Sequence, residues 1–254
     1  MARRALILLT ASALALGGCV QTRQVADVEF QPPQGDYSLI VMRPDVTVGI
    51  VTTGGLVEPR ADWTEEARGH LLRALAQQQG GRGGKTRILE TREGLPGVSP
   101  ETIADLERLH TAVGNSIALH KYMGVDLPTK RRRGLDWTLG EDAVKFGRAT
   151  GMDYALFLNA QDTHASTGRT ALQVLGIAGC LVGFCAPQGG GGQSAYASLV
   201  DLRTGEVVWF NVLQTSSQLP GVTFGDIRTP EGAAQMVDRL LGKMKAGRNV
   251  RDRK

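Results

Sequence analysis

The sequence predicts one α/β domain of three layers built on a mixed sheet. Short apolar runs that read as strands alternate with longer stretches of helical period. The last two runs are joined by a tight glycine-containing turn, so the chain closes with an antiparallel hairpin rather than another crossover. Once a leader of 18 residues is set aside, 236 of 254 residues remain, enough for one large domain. The expected order is β-α-β-α-α-β-(insertion)-β-β-α over residues 37–246. A short basic tail, 247–254, follows.

Residues 37–42 (YSLIVM) form a nearly continuous apolar run, the mark of a buried strand, and Arg43-Pro44 ends it. Residues 46–51 (VTVGIV) add an exposed strand before a Gly54-Gly55 loop. Asp62-Trp63-Thr64-Glu65 has the form of a capping box, and Trp63, Ala67, Leu71, Ala74 and Leu75 follow at helical spacing up to Gly80. Residues 86–90 (TRILE) are a short strand. Ser99-Pro100 places a cap before a proline at the first helical position, and Ile103, Leu106, Val113 and Ile117 line one face. Thr138-Leu139-Gly140-Glu141 is a second box, for a helix that stops at Gly151. Residues 153–162 (DYALFLNAQD) are the clearest core strand. Residues 193–201 and 206–213 flank the turn at 202–205. Thr229-Pro230 opens a last helix with Ala233, Val237, Leu240 and Met244 inward.

The closing hairpin carries the most specific pattern in the folded part. It reads Val200-Asp201-Leu202-Arg203-Thr204-Gly205-Glu206-Val207-Val208-Trp209. With the strand before it, this phrase resembles the periplasmic lipoproteins of the CsgG type, the curli-secretion channel family, and the amino-terminal domain of the Tol-system propeller protein. The resemblance rests on Asp201, Thr204, Gly205, Glu206 and Trp209. It implies a shared structural hairpin and carries no catalytic residue.

The amino terminus has its own signature. Arg3 and Arg4 precede an uncharged apolar run, 5–16, and then Leu16-Gly17-Gly18-Cys19. A basic start, a short apolar stretch and small residues at the cut mark a secretory signal peptide, residues 1–18. The apolar run is shorter than the ~20 residues a spanning helix needs. The four residues ending in Cys19 resemble the lipobox of bacterial lipoproteins. That resemblance implies cleavage before Cys19 and acyl chains, palmitate among them, on the cysteine. Val20 in the next position implies the periplasmic face of the outer membrane. Residues 19–36 lack an apolar period and contain Pro32-Pro33, so they read as a lipidated tether.

The insertion at 163–193 contains an uncharged apolar run, 171–187, followed by Gln188 and four glycines. Three readings stay open: a buried strand or helix with a flexible return, a membrane- or subunit-contacting hairpin, and a spanning helix. Leu175, Ile177, Leu181, Val182 and Phe184 are the contact residues under the second reading. Cys180 and Cys185 are a candidate disulfide pair in an oxidising compartment. On a continuous helix they would point apart.

Few residues suggest reaction chemistry. Gly80 to Thr86 (GGRGGKT) tempts a phosphate-loop reading, but it follows a helix and lacks the first glycine, where Gln79 stands. Asp162, His164 and Ser166 alternate and share one strand face. They are the candidates for a hydrolase, although same-face neighbours stand about 6.5–7 Å apart. His70, His110 and His120 sit in helical patterns without metal-ligand spacing, so no metal or cofactor is expected. Arg3 and Arg4 account for two of the four net positive charges. The remaining +2 is too mild for a nucleic-acid partner.

The expected role is therefore a non-enzymatic scaffold or accessory subunit in envelope assembly or secretion. Its expected partners are membrane lipid through acylated Cys19, an unidentified envelope protein and further copies of itself. A periplasmic hydrolase and an activator of a cell-wall synthase are the alternatives.

Overall fold

The structure is a computed structural model, and its description covers residues 20–26, 37–80, 85–93, 95–130, 134–181, 189–216, 225–242 and 244. At 20–26, 80, 177, 180, 181 and 216 it covers the backbone alone. The described residues form an α/β domain with a mixed sheet between two helical layers.

The sheet is organised by β6 (Tyr154–Ala165), the longest strand. Its two edges do different work. On one edge β2 (Ser38–Val41) runs parallel to its start, with Leu39 opposite Tyr154. β3 (Asp45–Val51) runs parallel to its end, with Asp45 opposite Asn159 and Val51 opposite Ala165. Met42, Arg43 and Pro44 form the break between these two short strands, and Met42 N–H still donates to Leu156 C=O at 2.9 Å. Outside them lie β5 (Lys85–Ile88), parallel to β2, and β4 (Val57–Pro59), antiparallel to β3. On the other edge β6 pairs antiparallel with β7 (Gly191–Asp201), β7 with β8 (Val207–Ser216), and β8 with β1 (Val20–Ala26).

Side-chain alternation then builds two cores. Leu39, Val41, Leu156, Leu158, Ala160 and Trp209 face α1 (Ala61–Gly80) and α5 (Pro230–Leu241). Ile40, Met42, Ala155, Phe157, Tyr196 and Phe210 face α2 (Pro100–Lys121) and α3 (Gly140–Thr150). Both faces of β6 are thus covered, which explains its nearly unbroken apolar run.

Several expectations need correction. Residues 20–26 are not free tether but the edge strand β1, held by backbone pairing with β8 although their sequence lacks an apolar period. The strand at 46–51 is not exposed: Val46, Val48 and Val51 are buried, while Thr47 between them faces out. Neither expected capping box forms. α1 begins at Ala61, so Asp62 lies within its first turn and pairs with Arg60 at 3.2 Å. α3 has no side-chain cap; Thr138 Oγ1 accepts from Gly140 N–H at 2.8 Å and donates to Gly205 C=O at 2.9 Å. Ser99 and Thr229 do cap, accepting from Thr102 N–H at 3.2 Å and Gly232 N–H at 3.1 Å. The insertion contains a helix, α4 (Thr167–Leu181).

The β7–β8 turn is locked from three sides. Asp201 accepts from Arg203 N–H at 2.9 Å and from its guanidinium, which also donates to Tyr154 Oη at 2.9 Å. Glu206 N–H donates to Thr204 Oγ1 at 3.2 Å. Trp209 is fully buried below. Gly205 has φ +79°, and a Cβ there would lie 2.5 Å from Gly140 O. Gly205→Val is expected to cost roughly 1–3 kcal/mol through backbone strain and that clash. The readout is a lower urea midpoint at unchanged slope.

Candidate functional site

Two features occupy the end of the sheet where β6 finishes and β7 begins. One is a buried polar cluster; the other is an exposed apolar helix.

The cluster grows from strand alternation. Asp162 and His164 point to the same face as Leu158 and Ala160, under α1 and the loop that leads into α5. His164 Nε2 lies 3.3 Å from Asp162 Oδ2 and 3.7 Å from Asp226 Oδ1. Neither contact is aligned as a hydrogen bond. Gln193, directly opposite Asp162 on β7, donates from Nε2 to Asp162 Oδ2 at 3.0 Å and also to Gly225 C=O. Arg228 grips both oxygens of Asp226, with Nε 2.8 Å from Oδ1 and the terminal nitrogen 2.6 Å from Oδ2. Its guanidinium also stacks 4.1 Å from the Trp63 ring centre, and that ring meets His164 edge-on at 5.9 Å. Burial pushes the Asp226 carboxyl up, but the Arg228 hydrogen bonds outweigh it and hold the group below the ordinary carboxylate range. The same bonds raise Arg228.

This arrangement differs from the triad considered for a hydrolase. Asp162 and His164 do meet, but Ser166 is spent elsewhere: its Oγ accepts from Arg169 N–H at 3.2 Å at the start of α4. The third member of the cluster is Asp226. Sequence spacing could not find it, because Asp226 lies in a different loop 62 residues downstream of His164. The three ligand atoms lie within 4.8 Å of one another, and an imidazole with two carboxylates suits a divalent transition metal. Arg228 already supplies the counter-charge to Asp226 through both oxygens, however, so the set fits a cation poorly. The cluster gathers two carboxylates, one guanidinium and an imidazole.

The helix α4 has an inverted distribution of polarity. Ala171, Val174, Leu175 and Ala178, at spacings of three and four, are all exposed, and Leu172 lies beside them. Leu175 is 67% exposed and Val174 52%. The one polar residue of this stretch, Gln173, is 2% exposed. Its Nε2 lies 2.2 Å from where a Cβ on Gly190 would sit, so that glycine makes room for it. Gly168 packs on Thr53, and Arg169 reaches Gly55 and donates to Gly189 C=O at 2.8 Å. The helix is therefore docked on the β3–β4 tip, where Leu56 is 73% exposed. Leu175 is the predicted contact residue the structure places in solvent. Ile177 and Leu181 lie in α4 with only their backbone described; Val182 and Phe184 lie outside the described residues. Of the cysteines, Cys180 is described in backbone only, and Cys19 and Cys185 lie outside. No helix among the described residues is long and apolar enough to cross a membrane.

A cleft of about 480 Å³ opens at the carboxyl ends of β2 and β5. Arg43, Arg68 and Arg92 converge there, yet each has a carboxylate: Glu65 for the first two, Glu107 for the third. The cleft is charged and self-neutralised.

No family model and no curated protein matches the chain. Among solved structures it is similar to PelC of Paraburkholderia phytofirmans. A variant PelC dodecamer shares 13% identity at a TM-score of 0.38, with 91% of this chain and 99% of that chain covered. A second PelC dodecamer shares 12% at 0.37, with 91% and 100% covered.

One further histidine is chemically distinctive. His110 on α2 is buried, stacks on Phe157 at 4.2 Å and 13°, and shares a hydrogen bond with Ser198 Oγ at 2.5 Å. Burial pushes its pKa down to about 3. It is a core histidine, held neutral.

Two outcomes follow from these contacts. Gln193→Leu removes a donor from a carboxylate that is 2% exposed, and is expected to destabilise the fold by about 1–3 kcal/mol. Thermal melting checks it. For His110 the folded pKa lies below the unfolded value of ~6.5. Its contribution is therefore complete above about pH 6.5 and is lost as the pH falls towards 3. The acid limb of a stability–pH curve should flatten over that window in a His110→Leu/Ser198→Ala double variant.

Proposed function

We propose that this chain is a lipid-anchored scaffold or accessory subunit of envelope assembly or secretion, carried on the periplasmic face of the outer membrane and acting without catalysis. The observation that carries the reading is α4. A helix that is uncharged after Arg169 and turns Val174 and Leu175 outward while burying Gln173 is organised for contact, since exposed apolar faces of this kind mark interaction surfaces.

Anchoring supplies the mechanism. β1 begins at Val20, the residue after Cys19, and pairs at once with β8. The described chain is therefore paired into the sheet from the residue that follows the acylation position. Acyl chains confine the domain to a surface and raise its effective concentration for a membrane-bound partner or for other copies of itself. The hydrolase alternative is weakened by the separate engagement of Ser166, described above.

Cys19→Ser is expected to abolish acylation and move the protein from the membrane to the soluble fraction, with the melting temperature of the domain unchanged. Lipid labelling and fractionation check this. Membrane retention with unchanged labelling would count against the anchor.

A further inference from the structure

We propose that the α4 end of the sheet is seated on a lipid bilayer, with Leu56, Val57, Leu172, Val174 and Leu175 in the interfacial layer. The proposal rests on the anchored reading of Cys19 and adds an orientation to it.

The register of the sheet carries the argument. Val20 pairs with Thr215, Thr215 with Gln193, Gln193 with Asp162, and Asp162 with Val48. This lateral row crosses five strands, about 19 Å at ~4.8 Å per strand. At one end of it is the backbone that continues Cys19. At the other is β3, whose next residues lead to Leu56 and Val57 at the β3–β4 tip. β6 passes the same row and enters α4 after Ala165. Val20, the tip and the helix therefore lie along one end of the sheet. The β7–β8 turn at Gly205 lies at the other end, about 25–30 Å away at ~3.3 Å per residue.

The chemistry of the surface selects lipid over protein. From Thr170 to Gly191 there is no charged residue, whereas a protein-docking helix ordinarily carries a polar rim. The α4 helix is about 22 Å long at ~1.5 Å per residue, and a helix of this kind lies within the interface with its apolar face down. Arg169, at its first turn and beside Gly55, stands where a headgroup would meet a cation. Acyl chains on the residue before Val20 would bring this end of the sheet towards the bilayer.

The test uses the full acylated chain in vesicles of phosphatidylethanolamine and phosphatidylglycerol with brominated acyl chains. Leu175→Trp places a reporter on α4. Glu141→Trp, at a 92% exposed side chain beside the Gly205 turn, places one at the opposite end. Emission is read as the difference from the parent protein, and acylation of Cys19 is measured by mass on the same sample. The added emission at 175 should be largely lost to the bromines and that at 141 retained. Val174→Trp repeats the reading if Leu175→Trp melts below the parent. Acylated protein whose tryptophan at 175 keeps its emission overturns the seating alone; so does equal quenching at 175 and 141. An unacylated Cys19 overturns the anchor and the seating together.

Discussion

The whole domain depends on β6 being buried on both faces and paired along both edges. Its alternation sends Leu156, Leu158 and Ala160 to one core and Ala155 and Phe157 to the other. Because the strand is twelve residues long, one of its edges can serve two short parallel strands in succession, β2 and then β3. Pro44 has no N–H to donate, so the break between them falls where a ladder bond could not form anyway. The helical layers follow from this division, with α1 and α5 on one face and α2 and α3 on the other.

Towards the carboxyl end of β6, its alternation changes character. Asp162 and His164 take the positions that Leu158 and Ala160 hold further back. Burying a carboxylate there requires partners, and they come from three elements: Gln193 from β7, Ile227 N–H from the loop before α5, and His164 from the strand itself. Arg228 and Trp63 close the cluster against α1. The loop at 225–228 is thus held by polar contacts at one end and by Ile227, fully buried, at the other.

The same end of the sheet carries α4. Its outward apolar stripe and inward Gln173 invert the usual order of a surface helix. That inversion gains meaning from its position at the same end of the sheet as Val20, where β1 begins. The opposite end is locked by the Asp201–Arg203 pair and by Gly205 against Gly140, so the exposed apolar stripe of α4 and the hairpin turn lie at opposite ends of the domain.

The sequence by itself determined the class and most of the elements. Strand runs at 37–42 and 153–162, the Gly205 turn, the Ser99 and Thr229 caps and the inward residues of α1, α2 and α5 all follow from local chemistry, because period and capping act within a few residues. Tertiary structure decided the rest. β1 has no apolar period, and only backbone pairing with a strand almost 190 residues away makes it a strand. Thr138 satisfies the Gly205 carbonyl across the fold instead of capping α3 in the expected box. Asp226 joins Asp162 and His164 only because a distant loop returns over the sheet. The apolar composition of 171–181 is the same for a buried helix and an exposed one; which of the two it is depends on whether any other element packs over it, and at Val174 and Leu175 they are open to solvent.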